Sequence, residues 1–162
     1  MFKNKNVVIV SLVILLFGGL LIGKSYFQRG EVESSNISSD SRGKVVIYKS
    51  PTCGCCTGYT AYLKKQGFQV DVVNQENITS VKDEHNIPYG MQSCHTAIIG
   101  DYFIEGHVSV EAIDKLLSEK PDIDGISLPD MPAGSPGMPG VKSEEFVIYS
   151  LSDGDKQEFV RL

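Results

Sequence analysis

The sequence predicts an α/β domain of order β-α-β-α-β-β-α, followed by a Pro/Gly/Met loop and a C-terminal β-hairpin and preceded by an N-terminal hydrophobic helix. Three observations carry this expectation. Between residues 44 and 120 the apolar residues switch between alternating and helical spacing. Gly and Pro punctuate the ends of those segments. Near the C-terminus, two alternating segments flank Asp153-Gly154, a turn pair suited to a hairpin.

The chain has 162 residues and a net charge of -5. Such an acidic balance excludes a basic nucleic-acid footprint, and the absence of Trp leaves no obvious stacking platform. Residues 1–24 read as a signal anchor or signal peptide. Lys3 and Lys5 form a short positive region, and the uncharged apolar run from Val7 to Gly23 is closed by Lys24. That run is near the lower limit for spanning a bilayer, roughly 17 residues, and exceeds the usual apolar core of a signal peptide. No clear small-x-small cleavage site lies between Ile22 and Gln28, so an uncleaved anchor is favoured over a cleaved peptide. In either case the positive end stays in the cytoplasm and the rest is exported.

Residues 25–43 are Ser-rich and polar, as in Ser34-Ser35-Asn36 and Ser38-Ser39-Asp40-Ser41, and are expected to form a flexible linker. The folded pattern, residues 44–122, opens with the apolar strand Lys44 to Lys49. Tyr59, Tyr62 and Leu63 at helical spacing predict a helix over 57–66, stopped by Gly67. Phe68 to Val73 alternates and reads as a strand, with Phe68, Val70 and Val72 inward. A weaker helix follows, with Ile78 and Val81 inward, ending near Pro88. Thr96 to Ile99 and Tyr102 to Glu105 are strands joined by Gly100-Asp101. Ser109 caps a last helix whose apolar stripe is Val110, Ile113, Leu116 and Leu117, and Pro121 ends it. A strand-helix-strand opening followed by a hairpin and a helix is the minimal thioredoxin arrangement, and the right-handed crossover rule favours the same packing.

From 121 to 140 the chain alternates Pro and Gly, and is expected to be loop rather than helix or central strand. The Met/Pro/Gly loop is bounded at 123–142. The C-terminal hairpin, 143–162, is expected to pair Phe146 to Leu151 with Gln157 to Leu162. There is no internal repeat.

The chemistry gathers at Ser50-Pro51-Thr52-Cys53-Gly54-Cys55-Cys56, between the first strand and the first helix. Cys53 and Cys56 have C-x-x-C spacing, and Cys55 stands inside it. At a helix N-terminus the free N–H groups and the dipole stabilise thiolate. A dithiol exchanger needs two such thiols, and a third would invite scrambling. Several converging thiolates suit soft Cu(I), which sulfur can bridge. Zinc prefers two well-separated ligand pairs, and the adjacency of Cys55 and Cys56 fits its tetrahedron poorly.

Cys94 is the fourth cysteine. In a thioredoxin-like chain the loop before the third strand faces the C-x-x-C turn and ordinarily carries a cis-proline. Here it reads Met91-Gln92-Ser93-Cys94-His95-Thr96, with no proline. The fold would bring Cys94 against Cys53, Cys55 and Cys56. An even number of cysteines in an exported chain also permits two structural disulfides, Cys53–Cys56 beside Cys55–Cys94.

Met131 and Met138 lie in the Pro/Gly loop, which has little core for them to fill. Their thioethers are soft, neutral ligands, or else they pack the loop onto the domain. His107, after Gly106, and His95, beside Cys94, are each a candidate ligand or a partner to one. His85 follows the charged run Lys82-Asp83-Glu84 and reads as solvated. Met91 reads either as near the site or as core. Phosphate-loop, dinucleotide and zinc-protease motifs are all missing from the sequence. No catalytic residue is nominated.

The motifs Cys53-Gly54-Cys55-Cys56, Gly90-Met91-Gln92-Ser93-Cys94-His95-Thr96, Glu105-Gly106-His107-Val108 and Met131-Pro132-Ala133-Gly134-Ser135-Pro136-Gly137-Met138 occur in one order. In this the chain resembles the CopG-type family of bacterial copper-resistance proteins, long catalogued as a domain of unknown function. The resemblance covers roughly residues 44 to 162. It implies a thioredoxin-like fold, a place in the bacterial periplasm or on the outer face of the inner membrane, and copper handling. It also implies a multi-copper thiolate site to which Cys53, Cys55, Cys56 and Cys94 correspond, with His107 and the methionine loop at family positions. The expected cargo is Cu(I), more than one ion per chain. The expected partners are copper ions, other envelope copper-handling proteins and the membrane, with no nucleic acid. The alternative is a thiol-disulfide oxidoreductase or copper redox protein using Cys53 and Cys56.

Overall fold

The structure, a computed structural model, describes residues 42–162. The expected leader and nearly all of the linker lie outside the described residues. Among the described residues no helix is long and apolar enough to cross a membrane.

The elements are β1 (Lys44–Lys49), α1 (Gly54–Lys65), β2 (Gln69–Asn74), α2 (Thr79–Glu84), a 3-10 turn at Tyr89–Met91, β3 (His95–Ile99), β4 (Tyr102–Glu105), α3 (Val110–Glu119), β5 (Gly125–Ser127), β6 (Val147–Ser152) and β7 (Asp155–Arg161). The strands form one seven-stranded sheet in the order β2-β1-β3-β4-β5-β6-β7. The β1-α1-β2 unit makes the two strands parallel, with Lys44 opposite Gln69. β3 returns antiparallel to β1, and β4 folds back on β3 through the Gly100-Asp101 turn. The predicted β-α-β-α-β-β-α order and the terminal hairpin are both present.

Tertiary packing changes several local expectations. α1 begins at Gly54 rather than residue 57, with Cys53 as its N-cap, so Cys55 and Cys56 lie in its first turn. β2 is an edge strand, and Val72, expected inward, is 37% exposed. Only Phe68 of its expected apolar face is buried. In α3 the stripe is Val110, Ala112, Ile113 and Leu116, with Leu117 half-buried. Ser109 occupies its N-cap but makes no side-chain cap bond. The Tyr62 hydroxyl accepts the Val110 N–H instead, at 2.8 Å.

The largest correction concerns residues 121–140, expected to be loop throughout. Gly125, Ile126 and Ser127 form β5, fully buried, parallel to β4 and antiparallel to β6. Gly125 is required there, because a Cβ would run into the Phe103 backbone and ring. The C-terminal hairpin thus continues the main sheet through β5.

The main core joins Val45 and Ile47 of β1, Tyr59 and Leu63 of α1, Ile104 of β4, Ile113 and Leu116 of α3, Ile126 of β5 and Ile148 of β6. Each such aliphatic side chain, fully withdrawn from water, contributes about 1.5–3 kcal/mol. A smaller cluster of Ile87, Met91, Phe103 and Leu151 supports the segment leading to Cys94. Met91 is therefore core.

Candidate metal centre

The turn between β1 and α1 is held by a hydrogen bond from Cys53 N–H to Ser50 O at 3.1 Å. It carries the sulfurs of Cys53 and Cys55 to the surface, both partly exposed, and that of Cys56 into the interior. Cys94 arrives from the loop before β3. Its Sγ lies 3.5 Å from Cys56 Sγ and 3.8 Å from Cys55 Sγ, and Cys55 Sγ lies 3.4 Å from Cys53 Sγ. One ligand atom from each of the four cysteines falls within 4.8 Å of the others. Cys53 and Cys56 are joined as a disulfide, whereas Cys55 and Cys94 are free. The four-thiolate arrangement therefore belongs to the reduced chain, with the sulfurs already assembled.

A second group, Cys94, His95 and His107, shares the same sulfur. His107 Nε2 is 3.1 Å from Cys94 Sγ and His95 Nδ1 is 3.5 Å from it. Both histidines are fully buried. The Tyr59 ring lies 4.6 Å from the His95 ring and 5.3 Å from that of His107, and its hydroxyl donates to Val108 O at 2.9 Å. Among the described residues, Nε2 of His95 has no hydrogen-bond partner.

The electrostatics follow from burial. Burial, then the neighbouring Cys55, pushes the Cys94 thiol up to about 12. A soft cation would reverse this by favouring the thiolate. Burial also holds both imidazoles below their ordinary range, with the proximity of His107, Lys82 and Lys49 adding to the effect at His95. Neutral imidazoles are the form that ligates metal. Lys49, buried, donates to Ser50 O at 2.9 Å, placing a cation beside the cysteine turn.

The Pro/Gly loop docks on the same side of the molecule. Pro136 O accepts from His107 Nδ1 at 2.6 Å. The Gly58 and Gly137 backbones meet so closely that a Cβ on Gly58 would stand 2.9 Å from Gly137 O. Gly58 is in α1, in the turn after Cys55 and Cys56. This docking brings the chain segment of Met138, half-buried, close to the site, while Met131 is 37% exposed. His85 sits apart, at the end of α2, with its ring 5.8 Å from that of Phe103. His95, a candidate from the sequence, touches the central sulfur. Nothing in the sequence pattern marks Glu105 and Lys82, which form a buried ion pair next to the segment carrying Cys94.

Thiolate sulfur and neutral imidazole nitrogen in a shielded setting are donors for soft and borderline metal ions. The same sulfurs can also exchange disulfides.

A family model described as "Protein of unknown function, DUF411" matches residues 91–138. Two solved structures, titled "Copper resistance protein copG- Form 1" and "Copper resistance protein copG- Form 2", are each 33% identical to the chain. Each aligns over 74% of this chain and 97% of its own, with a TM-score of 0.68. No curated protein matches the chain.

Proposed function

Because the chain belongs to the CopG-type family of copper-resistance proteins, we propose that it holds Cu(I) in a polynuclear thiolate site for copper resistance in the bacterial envelope. The carrying observation is the convergence of four cysteine sulfurs within 4.8 Å. Reduction of the Cys53–Cys56 bond frees two thiols and brings the total to four. Cys55 lies beside Cys53 and Cys94 beside Cys56, and thiolates so placed can bridge ions. His107 adds a nitrogen donor at Cys94. Met131 and Met138 supply thioethers from the docked loop. Residues 1–24 tether the domain to the outer face of the inner membrane or direct it to the periplasm.

The test is Cu(I) titration of the reduced full-length chain, purified anaerobically in mild detergent. The expected result is more than one Cu(I) per chain, with a sharp fall in Cys55→Ser and in Cys94→Ser. Copper content unchanged in both variants would overturn the shared site.

A second reading is favoured by the Cys53–Cys56 disulfide itself: thiol-disulfide exchange, or copper redox chemistry at that pair. It requires disulfide reduction that depends on Cys53 and Cys56 and persists in Cys55→Ser, measured with insulin as substrate.

A further inference from the structure

The stretch Met91 to Thr96, which delivers Cys94, has no proline to restrain it, so side-chain hydrogen bonds must fix it. Three side chains make them. Ser127 Oγ donates to Met91 O at 2.6 Å, and Gln92 Nε2 donates to Ile87 O at 2.9 Å. The third is Glu105, the last residue of β4. Its Oε1 accepts the backbone N–H of Ser93 at 2.5 Å, and its Oε2 accepts the Thr96 hydroxyl at 2.6 Å. Lys82 of α2 reaches the same place, paired with Glu105 and 3.1 Å from Thr96 Oγ1. Glu105 is fully buried and Lys82 is 5% exposed.

Burying an ion pair is costly, and apolar residues of similar volume often stabilise a fold as well or better. What apolar residues cannot do is accept the Ser93 N–H. The carboxylate grips the chain one residue before Cys94 and two residues after it. Two positions further on from Glu105 stands His107, whose ring touches the Cys94 sulfur. The end of one strand therefore holds the backbone at Ser93, just before Cys94, and the residue two positions on touches the Cys94 sulfur. We propose that Glu105, anchored by Lys82, is a positioning residue of the metal centre: it fixes the Ser93–Cys94 backbone so that the Cys94 sulfur meets those of Cys55 and Cys56. The assignment to a metal centre rests on the copper reading above, but the geometric claim can be measured without metal.

The experiment uses the full-length chain in mild detergent, with folding checked by circular dichroism. One variant joins Lys82→Met with Glu105→Leu, which removes the charges and the acceptor. The rescue variant joins Lys82→Met with Glu105→Gln, whose amide oxygen still accepts the Ser93 N–H. In a Cys53→Ser/Cys56→Ser background, diamide converts Cys55 and Cys94 to a disulfide. The two thiols give up two protons and two electrons, and diamide is reduced to its hydrazine. The glutamine variant should crosslink close to the parent rate, and the leucine variant about tenfold more slowly, the lower end of losses seen when a ligand's supporting partner is removed. In the native-cysteine chain, Cu(I) affinity from competition with bathocuproine disulfonate should follow the same order. Equal crosslinking rates in the leucine variant and the parent overturn the proposal, whatever copper does. A Glu105-dependent crosslinking rate in a chain that takes up no Cu(I) upholds the positioning role and overturns the copper reading. Should the leucine variant fail to fold, Glu105→Met, unbranched and adaptable, replaces it with the same expectations.

Discussion

Nε2 of His107 faces the Sγ of Cys94 at 3.1 Å, while Nδ1 of the same ring donates to the carbonyl of Pro136 at 2.6 Å. The carbonyl can only accept, so the proton sits on Nδ1 and the lone pair of Nε2 points at the sulfur. Burial shifts the ring below its ordinary range, which favours the neutral form. One imidazole thus presents a donor to the cysteine cluster and fastens the Pro/Gly loop to it.

Replacing that ring should undo both contacts at once. His107→Ala is expected to lower Cu(I) affinity about tenfold, the lower end of the usual range for groups that orient a metal ligand. It should also open residues 129–140 to limited proteolysis. A competition titration and a protease time course check the two effects. An intact loop with unchanged affinity would remove His107 from the site.

The loop's own seat is tested by Gly137→Ala. Gly137 has φ +80°, and a Cβ there would lie 2.8 Å from the Gly58 carbonyl carbon and 2.9 Å from Tyr59 Cα. Strain in the left-handed region costs about 1–3 kcal/mol, and the backbone of α1 cannot yield cheaply. Urea denaturation should register a loss in that range, and the loop should lift from α1. Met138→Leu and Met131→Leu, which keep bulk and remove sulfur, then separate ligation from packing. Weaker Cu(I) binding without loss of stability identifies a thioether ligand.

Much of this was legible in the sequence. β1 falls where the apolar run places it and β4 where the Gly100-Asp101 hairpin signal does, and the convergence of Cys94 on Cys53, Cys55 and Cys56 follows from topology. What was hidden depends on partners distant in sequence. β5 is three residues long between Pro/Gly segments, and only the flanking strands β4 and β6 make it a strand. Lys82, beside Asp83 and Glu84, reads as part of a solvated face. It is buried because Glu105, 23 positions away in the chain, meets it across the fold. His95 is a candidate from its place beside Cys94, but its enclosure by Tyr59 and His107 is set by the fold.

Gly106 should tolerate no side chain. Its φ is +78°, and a Cβ would lie 2.6 Å from Leu128 O and 2.8 Å from both Cβ and Oγ of Ser93. Gly106→Ala therefore presses on the residue that precedes Cys94. The expected outcome is a loss of stability together with a fall in Cu(I) stoichiometry. Gly90→Ala, where a Cβ meets nothing, should change neither. Copper titration of both variants at matched folded fraction is the check. Equal stoichiometry in the two would show that the Ser93 contact does not govern the site.

The C-terminal hairpin has a structural part in the site, although it contributes no donor to the cysteine and histidine groups. Leu151 of β6 packs with Ile87, Met91 and Phe103. Met91 O is held by Ser127 of β5, and Ile87 O is held by Gln92. Leu151 therefore lies beneath the segment that carries Cys94. Removing a buried leucine loses transfer free energy and leaves a cavity, at about 2–5 kcal/mol in total. Leu151→Ala should lose stability in that range in urea. Because the cavity opens under Met91 rather than at the sulfurs, saturating copper stoichiometry should survive where the variant is folded. The Met91 neighbourhood should meanwhile exchange amide protons faster, as local opening becomes easier. A loss well below 2 kcal/mol, with unaltered exchange at Met91 and Gln92, would mean that the loop before Cys94 is held without the hairpin.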